Sequence, residues 1–169
     1  MDCKVEKMPD FKVIGFYKDI AQGTGFQACP KFWDRIKNKY FSRLDDDSPI
    51  SRAIQGNNVG ELAVCIHSPD NPDYFGYMIA GFYKGGDLPV GMTMYELKHS
   101  KWAKFRCIGA MPNAIQELSE RIWKEWVPNS TYYEPLGETC IEWYSNGDTN
   151  ADDYVAEIWL PVRDKPLTK

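Results

Sequence analysis

The fold is most clearly indicated by two short segments near the C-terminal end, TCIEWYS at 139–145 and YVAEIWLPV at 154–162. Both are rich in aromatic and β-branched residues, which favour strands, and the polar stretch 146–153 between them is typical of a connecting loop. They are therefore predicted to pair as an antiparallel hairpin. Each strand carries one glutamate, Glu142 and Glu157, and one register of the hairpin places both carboxylates on the same face. Carboxylates among aromatic rings are costly unless a cation or a hydrogen-bond donor meets them, so this pattern indicates a site for a flat, apolar cation.

Outward from this hairpin, the chain repeats one order of elements twice. The first copy has a strand at 11–20, a helix that begins at Pro30, and strands at 61–68 and 74–84. The second copy has a strand at 101–110, a helix that begins at Pro112, and the two glutamate-bearing strands. The apolar residues at helical spacing are Trp33, Ile36, Tyr40 and Leu44 in the first helix, and Ile115, Leu118, Ile122 and Trp126 in the second.

The repeat predicts an α+β fold of two tandem strand–helix–strand–strand modules with pseudo-twofold symmetry, within a single domain over 1–169. The modules are expected at about 8–84 and 101–163, with 85–100 as the linker. Each antiparallel sheet would carry its helix on one face, and the modules together would form a ligand cleft, because clefts at internal interfaces are common ligand sites.

Alignment of the last hairpins of the two copies extends the candidate site into the first module. Cys65 then falls near Glu142, and Tyr77 falls near Glu157. The carboxylates are therefore peculiar to the second copy, and a structural need common to both copies does not explain them. Tyr77, Ile79 and Cys65 are predicted to contribute to the ligand site from the first module.

Composition excludes several classes of function. The net charge of −4 provides no basic excess for a nucleic-acid backbone. The polar N-terminus and the lack of a long apolar run predict no signal peptide and no membrane partner. Five scattered cysteines without a CxxC pair suit reduced thiols in the cytoplasm, and with only two histidines the sequence predicts neither a metal site nor a cofactor.

Three segments carry a resemblance to a known family: IWKEWVPNSTYYEP at 122–135, TCIEWYSNGD at 139–148 and AEIWLPV at 156–162. Together they resemble the GyrI-like, or AraC-type, effector-binding domain family, which includes the drug-binding domains of multidrug-responsive bacterial regulators. The resemblance implies a tandem-module fold with a U-shaped, aromatic-lined cleft. It also implies that the glutamate of an E-x-Y strand reaches into that cleft and meets cationic aromatic ligands.

The family pattern assigns site residues to the second module. The E-x-Y glutamate is Glu142, and Tyr144 shares its face. Glu157 and Trp159 occupy the matching alternate positions on the last strand. A bound aromatic cation would gain the charge of Glu142 and about 0.5–2 kcal/mol of cation–π attraction from each ring that it stacks on.

By resemblance, the chain is expected to be a stand-alone binder of hydrophobic, cationic, drug-like molecules, linked to transcriptional regulation or drug sequestration. No DNA-binding domain is expected, and hence no direct nucleic-acid binding. One alternative is a hydrolase of electrophilic, cyclopropane-type DNA-alkylating natural products, with Glu142 activating water and Tyr144 assisting. A second alternative is a gyrase-inhibitor-like protein-interaction module. The sequence favours binding over chemistry and leaves the physiological ligand, the protein partners and the oligomeric state open.

Overall fold

The computed structural model describes residues 1–99 and 101–167 and confirms an α+β fold with antiparallel sheets. The strands are β1 (Lys4–Lys7), β2 (Phe11–Ala21), β3 (Leu62–Ile66), β4 (Tyr74–Phe82), β5 (Thr93–Leu97), β6 (Lys101–Ile108), β7 (Tyr133–Pro135), β8 (Thr139–Tyr144) and β9 (Val155–Asp164). The helices are α1 (Gly25–Lys39), α2 (Pro49–Gly56) and α3 (Asn113–Arg121). In the part of the chain that is described, no helix has the length and apolar character needed to cross a membrane.

The chain divides into two compact units. The first, here called the N-terminal unit, is Asp10–Lys98. The second, here called the C-terminal unit, combines Met1–Pro9 with the stretch from His99 to the end. Both contain the predicted order of strand, helix, strand and strand, namely β2-α1-β3-β4 and β6-α3-β8-β9.

In the N-terminal unit the strands lie in the order β3-β4-β2-β5. Helix α1 buries Phe32 and Ile36, and Phe32 lies against Tyr77 of β4 with ring centroids 6.3 Å apart. The face of β4 that carries Tyr77 is therefore the helix-bearing face. Strand β5 lies within 85–100, so the stretch expected to be a linker also supplies an edge strand.

In the C-terminal unit the order is β1-β6-β9-β8, and β7 also pairs with β9. The core combines one face of the sheet with the apolar side of α3. Its fully packed members include Ala103 and Phe105 of β6, Ile115, Leu118 and Ile122 of the helical stretch, and Ala156, Ile158 and Leu160 of β9. The apolar spacing predicted over Ile115, Leu118 and Ile122 is therefore confirmed.

Helix α1 differs from its prediction at its start and at its proline. Helix α1 begins at Gly25, before the predicted start at Pro30, because the carbonyl of Thr24 accepts the N–H groups of Gln27 and Ala28. Pro30 therefore lies in the interior of the helix. Proline lacks an N–H, so Pro30 removes one helical hydrogen bond without ending the helix. Leu44 lies beyond α1 and is exposed.

The second helical stretch is longer than α3 itself. Helix α3 continues into a π-helical turn at Ile122–Trp126 and a short helical segment at Val127–Asn129. The wider turn brings Trp126 edge-on against Phe105, with ring centroids 4.9 Å apart. Trp126 is thus partly buried against the core, as its place in the apolar spacing predicts.

Candidate functional site

Glu142 and Tyr144 lie on the helix-bearing face of the C-terminal unit. In the pairing of β8 with β9, Glu142 is opposite Ile158 and Tyr144 is opposite Ala156. Directly opposed residues of an antiparallel pair point to the same face. Because Ile158 and Ala156 pack in the core with α3, Glu142 and Tyr144 share that face with them.

The carboxylate of Glu142 and the phenol of Tyr144 form a hydrogen-bonded pair. The Tyr144 hydroxyl donates to Oε2 of Glu142 over 2.5 Å, and both side chains are half-buried. Residues two apart on a strand lie side by side on one face, so the E-x-Y spacing alone places these groups within reach of each other. The bond fixes one oxygen of the carboxylate beside an aromatic ring.

Two cysteines on the same face show the electrostatic surroundings of Glu142. Burial raises the pKa of the Cys140 thiol, and the negative charge of Glu142 raises it further. The pKa of Cys107 is also raised, first by burial, with a smaller contribution from Glu142. The charge of Glu142 therefore acts on both thiols, and Glu157 contributes more weakly to the raised pKa of Cys107.

Glu157 and Trp159 lie on the opposite face, so the prediction of two carboxylates on one face is wrong. Glu157 is opposite Trp143, and Trp159 is opposite Ile141. The hairpin register differs by one residue from the one that aligns the glutamates. Because side chains alternate along a strand, a shift of one residue exchanges the faces.

Glu157 is held by groups of its own sheet. Its Oε2 accepts from Nε1 of Trp159 over 2.7 Å, and its Oε1 accepts from the Arg106 guanidinium over 3.0 Å. The ammonium of Lys104 lies 3.8 Å from the centroid of the Trp159 ring and 2.9 Å from Oε2 of Glu6. This face of the sheet therefore carries both a resident cation over its tryptophan and a resident cation beside its glutamate.

The three predicted site residues of the N-terminal unit lie together. Cys65 is opposite Tyr77, and Ile79 lies two residues farther along the same face of β4. Nε1 of Trp33, on α1, donates to the Tyr77 hydroxyl over 2.8 Å. Tyr77 thus lies on the helix-bearing face of its own sheet, whereas Glu157 does not, so the alignment of Tyr77 with Glu157 is wrong by one strand position.

Two kinds of participants are absent from the site residues predicted from the sequence. Trp33 is the hydrogen-bond partner of Tyr77, but its place in the helical apolar spacing indicated only a core residue. Lys104 and Arg106 alternate along β6, and this alternation is the signal that could have predicted a charged row beside Glu157. Among residues 1–99 and 101–167, no group of His, Cys, Asp and Glu side chains is arranged to hold a metal ion.

Comparison with known proteins gives a family and a shared fold. A family model described as "GyrI-like small molecule binding domain" matches residues 1–163. The solved structure of SAV2435 bound to tetraphenylphosphonium is 24% identical, with a TM-score of 0.80 over 96% of this chain and 94% of that one. A proposed bacterial transcription regulation protein from Staphylococcus aureus MU50 is also 24% identical, with a TM-score of 0.73 over 96% of this chain and 99% of that one.

A more distant match extends the same fold into a larger protein. The structure of an EcmrR–DNA complex is 12% identical, with a TM-score of 0.59 over 95% of this chain and 57% of that one. No curated protein matches the chain. At these identities the solved structures show the fold, whereas the family follows from the model match over residues 1–163.

Proposed function

Because the chain belongs to the GyrI-like small-molecule binding domain family, we propose that it binds hydrophobic organic cations at the carboxylate of Glu142. The observation that supports this choice is the position of Glu142: half-buried, on the helix-bearing face, and hydrogen-bonded to Tyr144. The charge of Glu142 attracts the cation, and the ring of Tyr144 offers a face for stacking. Glu157 is not assigned this role, because Arg106 and Trp159 already bind its two oxygens.

The physical chemistry of the pair favours breadth of ligands over selectivity. One charge and one or two ring faces impose few directional constraints, so cations of different shape can satisfy them. The structure of SAV2435 contains tetraphenylphosphonium, a cation whose charge is surrounded by phenyl rings. A ligand of that chemistry gains little from hydrogen bonds and much from a carboxylate in apolar surroundings.

We assign the bound cation the role of an effector or of a sequestered toxic compound. The family match supports small-molecule binding, and the proposed transcription regulator from Staphylococcus aureus supports a link to regulation. Tyr77, whose hydroxyl accepts from Nε1 of Trp33, stays a predicted ligand contact within the N-terminal unit. Cys65 and Ile79 lie beside Tyr77 on β3 and β4 and remain predicted ligand contacts.

The test is a calorimetric titration of the full chain with tetraphenylphosphonium, and with triphenylphosphine oxide as the neutral ligand. Glu142→Gln keeps the shape of the side chain and removes its charge. We therefore expect it to lower the affinity for the cation by about tenfold or more, and the affinity for the neutral ligand by less than about twofold. The matched control is Glu157→Gln, which removes a charge from the opposite face and is expected to leave both affinities within about twofold. Equal losses for both ligands, or a larger loss in Glu157→Gln, would contradict the proposal.

The Tyr144–Glu142 pair also favours a second candidate, hydrolysis of an electrophilic, cyclopropane-type ligand. A carboxylate can activate water and a neighbouring phenol can donate a proton, and these two groups lie 2.5 Å apart. Chromatography of such an electrophile after incubation with the protein separates this candidate from binding alone. Turnover that is lost in Glu142→Gln supports hydrolysis, whereas tight binding with full recovery of the electrophile supports binding alone.

A further inference from the structure

A cavity lies entirely within the N-terminal unit, outside the groups used above. It has a volume of about 470 Å³ and is bounded by the end of α1, the turn that follows, the first turn of α2 and the loop before β5. Its lining residues are Lys39, Tyr40, Arg43, Asp45, Ser48, Pro49, Ile50, Ser51, Pro89 and Val90. This volume falls in the range of small-molecule sites, about 300–1,000 Å³.

The wall of the cavity is largely apolar. Tyr40 stacks on the buried Phe16 with ring centroids 4.6 Å apart and an interplanar angle of 17°, which holds its ring in place. Pro49, Ile50 and Pro89 add aliphatic surface. Val90 is 95% exposed, an unusual position for an aliphatic side chain at the edge of a cavity.

Two of the three charged side chains that line this cavity are positive. Lys39 and Arg43 belong to the lining, and the Lys39 ammonium lies 5.2 Å from the centroid of the Tyr40 ring. Within residues 1–99 and 101–167, neither of these two cations forms an ion pair with a carboxylate. The cavity therefore combines an apolar wall with two cations that a bound anion could meet.

Asp45, the one carboxylate of the lining, is bound by its own turn. Its Oδ1 accepts the backbone N–H groups of Ser48 over 2.7 Å and of Asp47 over 2.9 Å, and these bonds hold the pKa of Asp45 below its ordinary value. The Ser48 hydroxyl in turn accepts the N–H of Ser51, and Gln55 donates to the Asp45 carbonyl. The acidic group thus serves to order the turn, and the wall it supports is held before any ligand arrives.

We propose that this cavity is a second small-molecule site, and that it takes an amphipathic organic anion such as an aryl-alkyl carboxylate. The anion's carboxylate would meet Lys39 and Arg43, and its apolar part would lie against Tyr40, Ile50 and Pro89. This preference is opposite in charge to that of Glu142, so the two sites select different ligands. Charge complementarity between two cations and one carboxylate gives the orientation, and the apolar wall gives most of the contact area.

The experiment follows amide shifts of the ¹⁵N-labelled full chain during titration with 4-phenylbutyrate, with 4-phenylbutanamide as the neutral probe of equal shape. We expect saturable shifts at residues 39–51 and 89–90 for the carboxylate, and an affinity about tenfold lower for the amide. The double variant Lys39→Gln, Arg43→Gln is expected to lower the affinity for 4-phenylbutyrate by about tenfold and to leave the affinity for 4-phenylbutanamide unchanged. The matched control Lys31→Gln, on the exposed surface of α1 outside the lining, is expected to bind as the wild type does.

Three outcomes would overturn the proposal. The first is a carboxylate titration without saturable shifts at these residues, and the second is equal affinity for carboxylate and amide. The third is equal weakening by Lys31→Gln and by the double variant, which would indicate general charge attraction. Glu142→Gln is expected to bind 4-phenylbutyrate as the wild type does, and this result holds whether or not Glu142 binds cations.

Discussion

The two faces of the β8–β9 strand pair carry one glutamate each, and the two glutamates have different partners. Glu142 shares its face with the core and accepts from a neutral phenol. Glu157 lies on the other face and accepts from a guanidinium and an indole. A guanidinium offsets part of the charge of Glu157, whereas the phenol of Tyr144 stabilises the carboxylate of Glu142 through a neutral hydrogen-bond donor. The hydrogen-bond partner, more than the carboxylate itself, therefore distinguishes the candidate ligand site at Glu142 from the ion pair at Glu157.

The largest expected effect tests which face of the pair is packed. Ile158 lies directly opposite Glu142 and is 3% exposed, so Ile158→Ala is expected to lower the free energy of unfolding by about 2–5 kcal/mol. Ile108, at the end of β6, is 66% exposed and supplies the matched control. Ile108→Ala should change the unfolding free energy by less than about 0.5 kcal/mol. Urea denaturation measures both, and equal changes would show that the face of Glu142 is not the packed one.

The next effect separates the ring of Tyr144 from its hydroxyl. Tyr144→Leu removes the aromatic face on which the ligand stacks. We expect it to reduce the binding free energy of tetraphenylphosphonium by about 0.5–2 kcal/mol, which is a roughly twofold to thirtyfold loss of affinity. Tyr144→Phe keeps the ring and should remain closer to the wild type. Trp159→Leu, on the opposite face, is the control for the loss of a ring as such. If Trp159→Leu lowers the affinity for the cation more than Tyr144→Leu does, the ligand binds on the face that carries Glu157.

The sequence predicts the fold well because the periodicities of its central strands and of α3 are strong. The six module strands, the spacing of Ile115 and Leu118, and the order of elements follow from apolar patterns that depend only on local geometry. Strands β1 and β5 are short, and their partners, β6 and β2, are distant in sequence. No local pattern specifies such a pairing, and these two strands were not predicted.

The side chains at the candidate site are only partly predictable for a related reason. The E-x-Y spacing places Glu142 beside Tyr144 in any strand, so that pair follows from the sequence. The relation of Glu142 to Glu157 depends on hairpin register, which the polar loop at 146–153 does not specify. A displacement of one residue there is invisible in composition, yet it decides which carboxylate meets Arg106.

A smaller effect compares the two glutamates through stability. Glu157→Gln weakens the contacts with Arg106 and Trp159, but Arg106 is 64% exposed, so the expected loss in unfolding free energy is below about 1 kcal/mol. Glu142→Gln removes a charge from a half-buried position and is expected to leave the free energy of unfolding unchanged or to raise it by roughly several tenths of a kcal/mol. Thermal unfolding of the two variants side by side gives the sign of each change. A marked destabilisation by Glu142→Gln would assign that carboxylate a structural role.

The smallest effect concerns the thiol that lies two residues before Glu142. The pKa of Cys140 is raised in the folded protein, first by burial and then by the charge of Glu142, relative to an ordinary value of 9.0. Above pH 9.0 the unfolded chain therefore releases a proton that the folded chain keeps, and stability falls as the pH rises. Below that pH both states hold the proton and the contribution is constant.

Cys140→Ala should therefore flatten the fall of the urea midpoint between neutral and alkaline pH. Glu142→Gln should flatten it only partly, because burial is the larger cause of the raised pKa. Glu157→Gln, whose carboxylate lies on the other face, should leave the slope contributed by Cys140 unchanged. If Glu157→Gln alters this slope as much as Glu142→Gln does, the two carboxylates act on the same thiol. The separation of the two faces would then fail as an electrostatic description of this strand pair.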